Sequence, residues 1–526
     1  MPTKTFLYKH KTFLTLLILA IVCIGGTLVR GAFHLDPLHW SLMFSNAQDL
    51  ANHKKPYAEI YIQYGILTTF IHGIAYLIKN NLLTLILITA VFYYLGVVVL
   101  YFLSKKALSS NNLALKVVIV AILFHPIAIY PWPNYIAFPF LMSGIYLIVF
   151  YKNNNSFFWG GILLSLSALS RENLIFAVCP IIIIFFIFDY LSNKNNIALI
   201  LNKLILVGLG LITPIILFFC YLFYEKIFNF WIQLSYEVPV IFSHIHFQHL
   251  KGIGIFNPLL DVILRGLISL DFRWIFSAAI ILINILIVIF FLTKNSKYHV
   301  NSEIAKLASA TIILLSSTLH APEIFRIATG SILGLIPVAF LISNMRFFNL
   351  SYYFFSIVFA FTLFWGNPSL MYFPSLNSIL ESEPVLISEY FSGQMWNRKK
   401  IDYYQQISQT FLDIQGLKSC SITHQYNDTG DGFIKILSPF TQRQMAPWIL
   451  PIEISNLRPD LKFSLENNRL QDTLVIMSAP PESSKLVTDK ILSNYYLYRV
   501  VIIPDIYYLP GGGGMYFILP KNCIEM

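Results

Sequence analysis

Charge is scarce in this chain. Only 12% of its 526 residues are Asp, Glu, Lys or Arg, about half the share of an ordinary soluble domain. Cysteine is scarce too, at five, which excludes a disulfide scaffold. No internal repeat is evident, which excludes a solenoid. There is no Walker motif, no GxGxxG, no HExxH and no GxSxG in a convincing context, so nucleotide-driven and zinc-protease chemistry have no visible home. Gly and Pro number 25 each, without periodicity, which excludes collagen and disorder. What is abundant is apolar: 56% of residues are hydrophobic and 16% aromatic, and mean hydropathy is +0.66. A soluble core cannot hide that much apolar surface, so most of the chain belongs in lipid.

The formal charge of +10 points to the cytoplasmic loops of a membrane protein rather than to nucleic acid. Apolar runs fit about eleven transmembrane helices: Phe13–Val29, Leu82–Leu103, Leu113–Ile129, Tyr135–Phe150, Phe157–Ser170, Leu174–Leu191, Leu204–Tyr224, Trp274–Leu292, Lys306–Leu319, Ile327–Ser343 and Ser351–Trp365. Lys4, Lys9 and Lys11 precede the first, an uncleaved anchor with its N-terminus in the cytoplasm. That start puts Lys105/Lys106, Lys152, Lys194/Lys203, Lys294/Lys297 and Arg346 inside, as the positive-inside rule requires. It also requires that Tyr64–Ile78 lie on the outer surface instead of spanning. The expected fold is a mostly α membrane protein, residues 1–366, with a first outer loop at 30–81. A small extracytoplasmic α/β domain follows, residues 367–526. Within it Met395–Ile414 and Ser484–Ser493 read as amphipathic helices, and Leu474–Ser478, Val500–Ile503 and Met515–Leu519 as strands. Gly511–Gly514 reads as a turn between strands. Cys23, Cys179 and Cys220 lie in apolar runs, as small hydrophobes. Cys420 and Cys523 share the outer compartment, where they either bond to each other or stay free.

The first outer loop holds charge, histidine and aromatics at the bilayer edge. Asp36 follows the first span. It either caps the next helix, with Pro37 at its first position, or takes a proton or a cation. His34 and His39 accompany it; Asp49 and Glu59 read as solvated, with Asp49 the second candidate metal ligand beside Asp36. Ser170-Arg171-Glu172-Asn173 puts charge between two apolar runs: an internal pair, or an Arg whose planar fork of donors holds a phosphate. His320, Glu323 and Arg326 pose the same choice, since Glu323 and Arg326 are one helical turn apart. His125, Trp132, Asn134 and Tyr135 either line a cavity or form an interfacial belt. His244, His246 and His249 fit no strong zinc spacing.

Asp36–His39, followed by Lys55-Pro56-Tyr57 and Gln63-Tyr64-Gly65, resembles the first loop of the GT-C class of membrane glycosyltransferases. The resemblance covers roughly residues 1–365; the tail matches such enzymes in position alone. It implies sugar transfer on the outer face from a polyprenyl-phosphate-linked donor to a glycan, lipid or protein acceptor, in a multi-pass protein of a bacterial inner membrane. Asp36 would then match the catalytic carboxylate. His39, Tyr57, Gln63, Tyr64, Arg171, Glu172, His320, Glu323 and Arg326 would be the substrate-binding candidates. Many members of the class carry two adjacent acidic residues in this loop. Here Pro37 follows Asp36, so a divalent cation (Mg or Mn) is left open and no cofactor is required. The rival readings are a transporter or flippase for a lipid-linked solute, and an envelope polysaccharide polymerase or ligase.

Overall fold

The computed structural model describes residues 12–37, 39–62, 64–124, 131–151, 153–193, 197–238, 240–241, 272–293, 300–315, 330–344, 379–429, 431–442, 472–478, 495–502 and 514–523. Long apolar runs without helix breakers form the bundle. α1 (Thr12–Phe33), α4 (Leu82–Leu108), α6 (Pro133–Phe150) and α9 (Ile197–Tyr224) are long and apolar enough to cross a membrane, as is the stretch Glu172–Ser192 that contains most of α8 (Ile175–Asn193). Between and after them lie α2 (His39–Ala51), α3 (Ile66–Ile78), α5 (Asn111–Phe124), α7 (Asn154–Ser170), α10 (Phe272–Leu292), α11 (Ser302–Leu314) and α12 (Leu335–Asn344).

Several boundaries differ from the hydropathy reading. α1 runs on to Phe33, so Arg30 sits in its last turn and not in a loop. α9 begins at Ile197 rather than Leu204. α11 begins at Ser302, where Asn301 accepts a hydrogen bond from the backbone of Ile304. That cap carries Lys306 into the bundle, buried and paired with Asp189 of α8 at 2.6 Å. A lysine at that depth needs such a partner, which is why it does not mark a helix start. Cys179 and Cys220 are exposed on the outside of the bundle rather than packed within it. The Ser351–Trp365 span lies outside the described residues.

Close helix packing comes from small residues. A Cβ on Gly161 of α7 would collide with the backbone of α9 at Val207, and one on Gly210 would collide with Phe158. Two glycines facing each other let these backbones touch, the usual way lipid-embedded helices gain packing energy. α3 has one buried face, with Thr68, Thr69, His72 and Ala75, and one exposed apolar face, with Phe70, Ile74, Leu77 and Ile78. Its 13 residues span about 20 Å, short of a hydrocarbon core of about 30 Å.

The tail folds around a five-stranded sheet. β1 (Ser382–Pro384) and β2 (Met395–Asn397) form a separate antiparallel pair. The main sheet contains β3 (His424–Asp428), β4 (Thr441–Gln442), β5 (Thr473–Met477), β6 (Tyr495–Ile502) and β7 (Gly514–Pro520), in the order β4-β3-β5-β7-β6. β3 runs parallel to β4 and β5; β7 runs antiparallel to β5 and β6. The helix expected from Met395 starts three residues later, as α13 (Arg398–Gln415). Asn397 caps it through the backbone of Lys400, and Met395–Asn397 is a strand instead. α14 (Phe433–Leu437) follows β3. The second helix expected at Ser484–Ser493 lies outside the described residues. Cys420 and Cys523 are bonded to each other, closing the segment after α13 onto the turn after β7.

The tail is not tethered at a distance. Its core residues Phe391, Trp396, Ile401, Tyr404 and Phe433 share one hydrophobic cluster with Leu35, Trp40, Phe44, Ala47, Leu82 and Ile86 of the first loop and α4. Asn80 donates to Glu389 at 2.6 Å across the same junction.

Candidate functional site

Asp36 closes the gap between α1 and α2. One carboxylate oxygen accepts the backbone N–H of His39 at 3.0 Å, and the other meets the Nδ1 of His39 at 2.8 Å. The helix-cap geometry is therefore present, and it has a second effect. A carboxylate accepts at about four positions; His39 uses two and fixes the plane of the group. Both side chains remain partly solvent-exposed, at 27% and 38%.

From His39 an aromatic bridge leads inward. Its ring packs edge-on against Trp132, 4.8 Å between centroids. Trp132, at the start of α6, packs at 4.4 Å against Tyr64. The carbonyl of Tyr64 accepts the N–H of Glu172 at 2.9 Å. Arg171, buried, is the residue immediately before it. The approach of these two segments depends on Gly65, because a Cβ there would overlap the carbonyl of Ser170. Thr68 donates to that same carbonyl at 2.8 Å. The short sequence Tyr64-Gly65 is thus a seat for the Arg171 turn.

Tyr57 makes the second clasp. It holds a left-handed backbone, φ 62°, which non-glycine residues seldom adopt without a compensating contact. Its buried phenol donates to Glu172 Oε1 at 2.5 Å. Burial, with the nearby Glu172 carboxylate, holds that phenol well above its ordinary pKa. Lys55 reaches Glu225, just beyond α9, at 3.1 Å. The first loop, the start of α6, the Arg171 turn and the end of α9 therefore converge at one end of the bundle.

Asp49 corrects the sequence reading. Expected in solvent, it is buried and bridges two lysines: Lys54 at 2.7 Å on one oxygen, and Lys435 of the outer domain at 2.5 Å on the other. Ser45 also accepts from Lys435, at 2.7 Å. Glu59, by contrast, lies in the solvated surface and caps the backbone of Lys55. Among the described residues, no three His, Cys, Asp or Glu side chains group as a metal site.

Several residues enter that hydropathy and motif reading missed. Gly432 of the outer domain donates its N–H to the carbonyl of Pro37 at 3.1 Å. Its neighbour Asp431 is fully buried; it accepts from Tyr404 at 2.8 Å and from the backbone of Phe433 at 2.9 Å. Burial, reinforced by the negative charge of Asp36, pushes its carboxyl up to about 7. Arg30 and Lys400 lie close enough to His34 to disfavour its protonation, after the larger effect of crowding around the ring. The turn-rich run Asn427-Asp428-Thr429-Gly430-Asp431-Gly432 was the available signal for Asp431. Among the described residues, neither polar side-chain atom of buried Asn134, two residues after Trp132, has a hydrogen-bond partner. Gln63, His125, His244, His246, His249, His320, Glu323 and Arg326 lie outside the described residues.

No protein-family model matches the chain, and no curated protein matches it. Among solved structures, the chain is similar to the crystal structure of ArnT from Cupriavidus metallidurans in the apo state. The similarity covers 97% of this chain and 98% of that one, at 10% identity and a TM-score of 0.47.

Proposed function

We propose that this chain is an integral, multi-pass membrane glycosyltransferase. It moves a sugar from a polyprenyl-phosphate donor to a glycan, lipid or protein acceptor on the extracytoplasmic face, with inversion. The observation that carries the reading is the continuous path Asp36–His39–Trp132–Tyr64 to the Arg171 turn, at the end of an apolar bundle that can hold a lipid tail.

In the reaction the acceptor oxygen bonds to the anomeric carbon as the bond from that carbon to the phosphate oxygen breaks. The acceptor's proton goes to Asp36, and the electron pair leaves with the polyprenyl phosphate. His39 holds the carboxylate in register. Base catalysis of this kind is worth about 10²–10⁴-fold. Negative charge grows on the departing phosphate. The guanidinium of Arg171, in a poorly hydrated setting, stabilises it, and Arg326 is the second candidate for that role. Tyr64, half-buried, offers a face for the sugar, and buried Trp132 packs behind it. A divalent cation would have to use Asp36 without Asp49, whose oxygens both serve lysines.

The test is incubation of the purified protein with polyprenyl-phosphate sugars and an envelope-derived acceptor, scoring release of free polyprenyl phosphate. Asp36→Asn keeps an oxygen for the helix cap and should abolish release while the protein still folds. Full release by that variant would remove Asp36 from the chemistry.

A further inference from the structure

We propose that the segment around Asp431 and Gly432 of the outer domain is a wall of this same site, with the charge of Asp431, beside Asp36, setting how tightly an anionic donor is held. The proposal rests on the glycosyltransferase reading and adds a part of the chain that the first loop alone does not supply.

The geometry is specific. The backbone hydrogen bond from Gly432 to Pro37 joins the residue after Asp431 to the residue after Asp36. Lys435, on the next turn, anchors the same segment to Asp49 and Ser45 of α2. Phe433 packs in the cluster that contains Trp40 and Phe44. Inside the turn, Asn427 donates to the carbonyl of Asp431 at 3.0 Å and accepts from Thr429 at 2.7 Å. These contacts fix the Asp431 carboxyl in a dry pocket beside the carboxylate that does the chemistry.

Among the described residues, the charged and titratable groups around Asp431 are few. Tyr404 faces it from α13 and Asp36 from the link between α1 and α2. Lys435 of α14 is committed to Asp49. Lys400 of α13 and Arg30 at the end of α1 act on His34. Among the described residues, no cation is one of the groups that set the titration of Asp431. Its neutral form therefore suits its surroundings, and its ionised form adds a second negative charge next to Asp36. A donor phosphate is repelled by that charge. Two like charges several ångströms apart at a partly buried site change an affinity by about tenfold.

The experiment measures binding of a polyprenyl-phosphoryl hexose, a phosphodiester with one fixed charge across neutral pH, to the detergent-solubilised full chain from pH 6 to 8. Wild-type affinity should fall about tenfold over that range. Asp431→Asn, permanently neutral, should show little or none of that fall. Tyr404→Phe removes a hydrogen bond that favours the ionised carboxylate, so its midpoint should move to higher pH. A role confined to structure would lower stability in both variants and leave the pH dependence of binding in place; an unchanged pH dependence overturns the proposal. Failure of the wild type to release polyprenyl phosphate from any donor would instead defeat the glycosyltransferase reading, and the binding curves would separate the two failures.

Discussion

The phenol of Tyr57 and the carboxylate of Glu172 are 115 residues apart in sequence and 2.5 Å apart in space. This pair, with the backbone hydrogen bond from Glu172 to Tyr64, ties the loop that carries Asp36 to the turn that carries Arg171. Tyr57→Phe removes one donor from a buried carboxylate. It should cost about 1–3 kcal/mol and loosen the register between the Asp36 loop and the Arg171 turn. The measurement is a thermal melt in detergent together with donor turnover. A variant with wild-type melting and turnover would mean that the clasp carries neither stability nor alignment.

Lys435 and Asp49 join the outer domain to α2 with side chains only 9% and 5% exposed. Removing one member of a buried pair leaves the other uncompensated, at about 3–5 kcal/mol. Lys54 still neutralises Asp49 in part, so Lys435→Met should fall near the lower end. The double variant Asp49→Asn/Lys435→Met should recover much of the loss. Limited proteolysis between the bundle and the tail reads the difference: faster release of the tail in the single variant, and slower release in the double.

Asp431 makes stability depend on pH. Its carboxyl titrates at about 7 in the folded chain, against an ordinary value of 3.8. Between those values the native state keeps a proton that the unfolded state has lost, so stability falls as pH rises. The loss is complete above about pH 7 and amounts to about 4 kcal/mol at most. Asp431→Asn should therefore be less sensitive to pH between 4 and 7 than the wild type. Denaturation midpoints at pH 5 and pH 7.5 for both proteins check this. An equal drop in the two would assign the dependence to another group.

The bond between Cys420 and Cys523 closes a loop of 103 residues. In the chain-entropy account such a closure contributes about 4–5 kcal/mol. Reduction should expose two further thiols to maleimide and lower the unfolding temperature of the outer domain. Cys420→Ser/Cys523→Ser should reproduce the shift without reductant. Two thiols reactive before reduction would show that the bond does not form.

Much of the membrane part was legible because long apolar runs have few other fates in water or lipid. Helices at Leu82, Tyr135, Phe157 and Trp274 begin within three residues of the expected positions. The reading failed where a local cap outweighed hydropathy. Asn301 starts α11 ahead of the apolar run, and Asn397 turns Met395–Asn397 into a strand end instead of a helix start. At the candidate site, Asp36, His39 and Glu172 could be singled out because a short polar stretch beside lipid is conspicuous, and Tyr57 and Tyr64 because their segments resemble the GT-C first loop. Lys435 could not, and Asp431 had only its turn-rich neighbours as a signal, since in a polar tail one more charge looks solvated. Only the shared core with Trp40 and Phe44 reveals that they are buried against the first loop.

The separation of 386 positions between Asp49 and Lys435 has a consequence for biogenesis. During translation, the loop with Asp36 leaves the ribosome early, while the lysine that seals it is among the late arrivals. Until then Asp49 has Lys54 alone, and the apolar face of α2 lacks its cover. A nascent chain halted after α12 would carry Asp36 and His39 and still lack the part of the outer domain that packs against their loop, so that junction closes only late in synthesis.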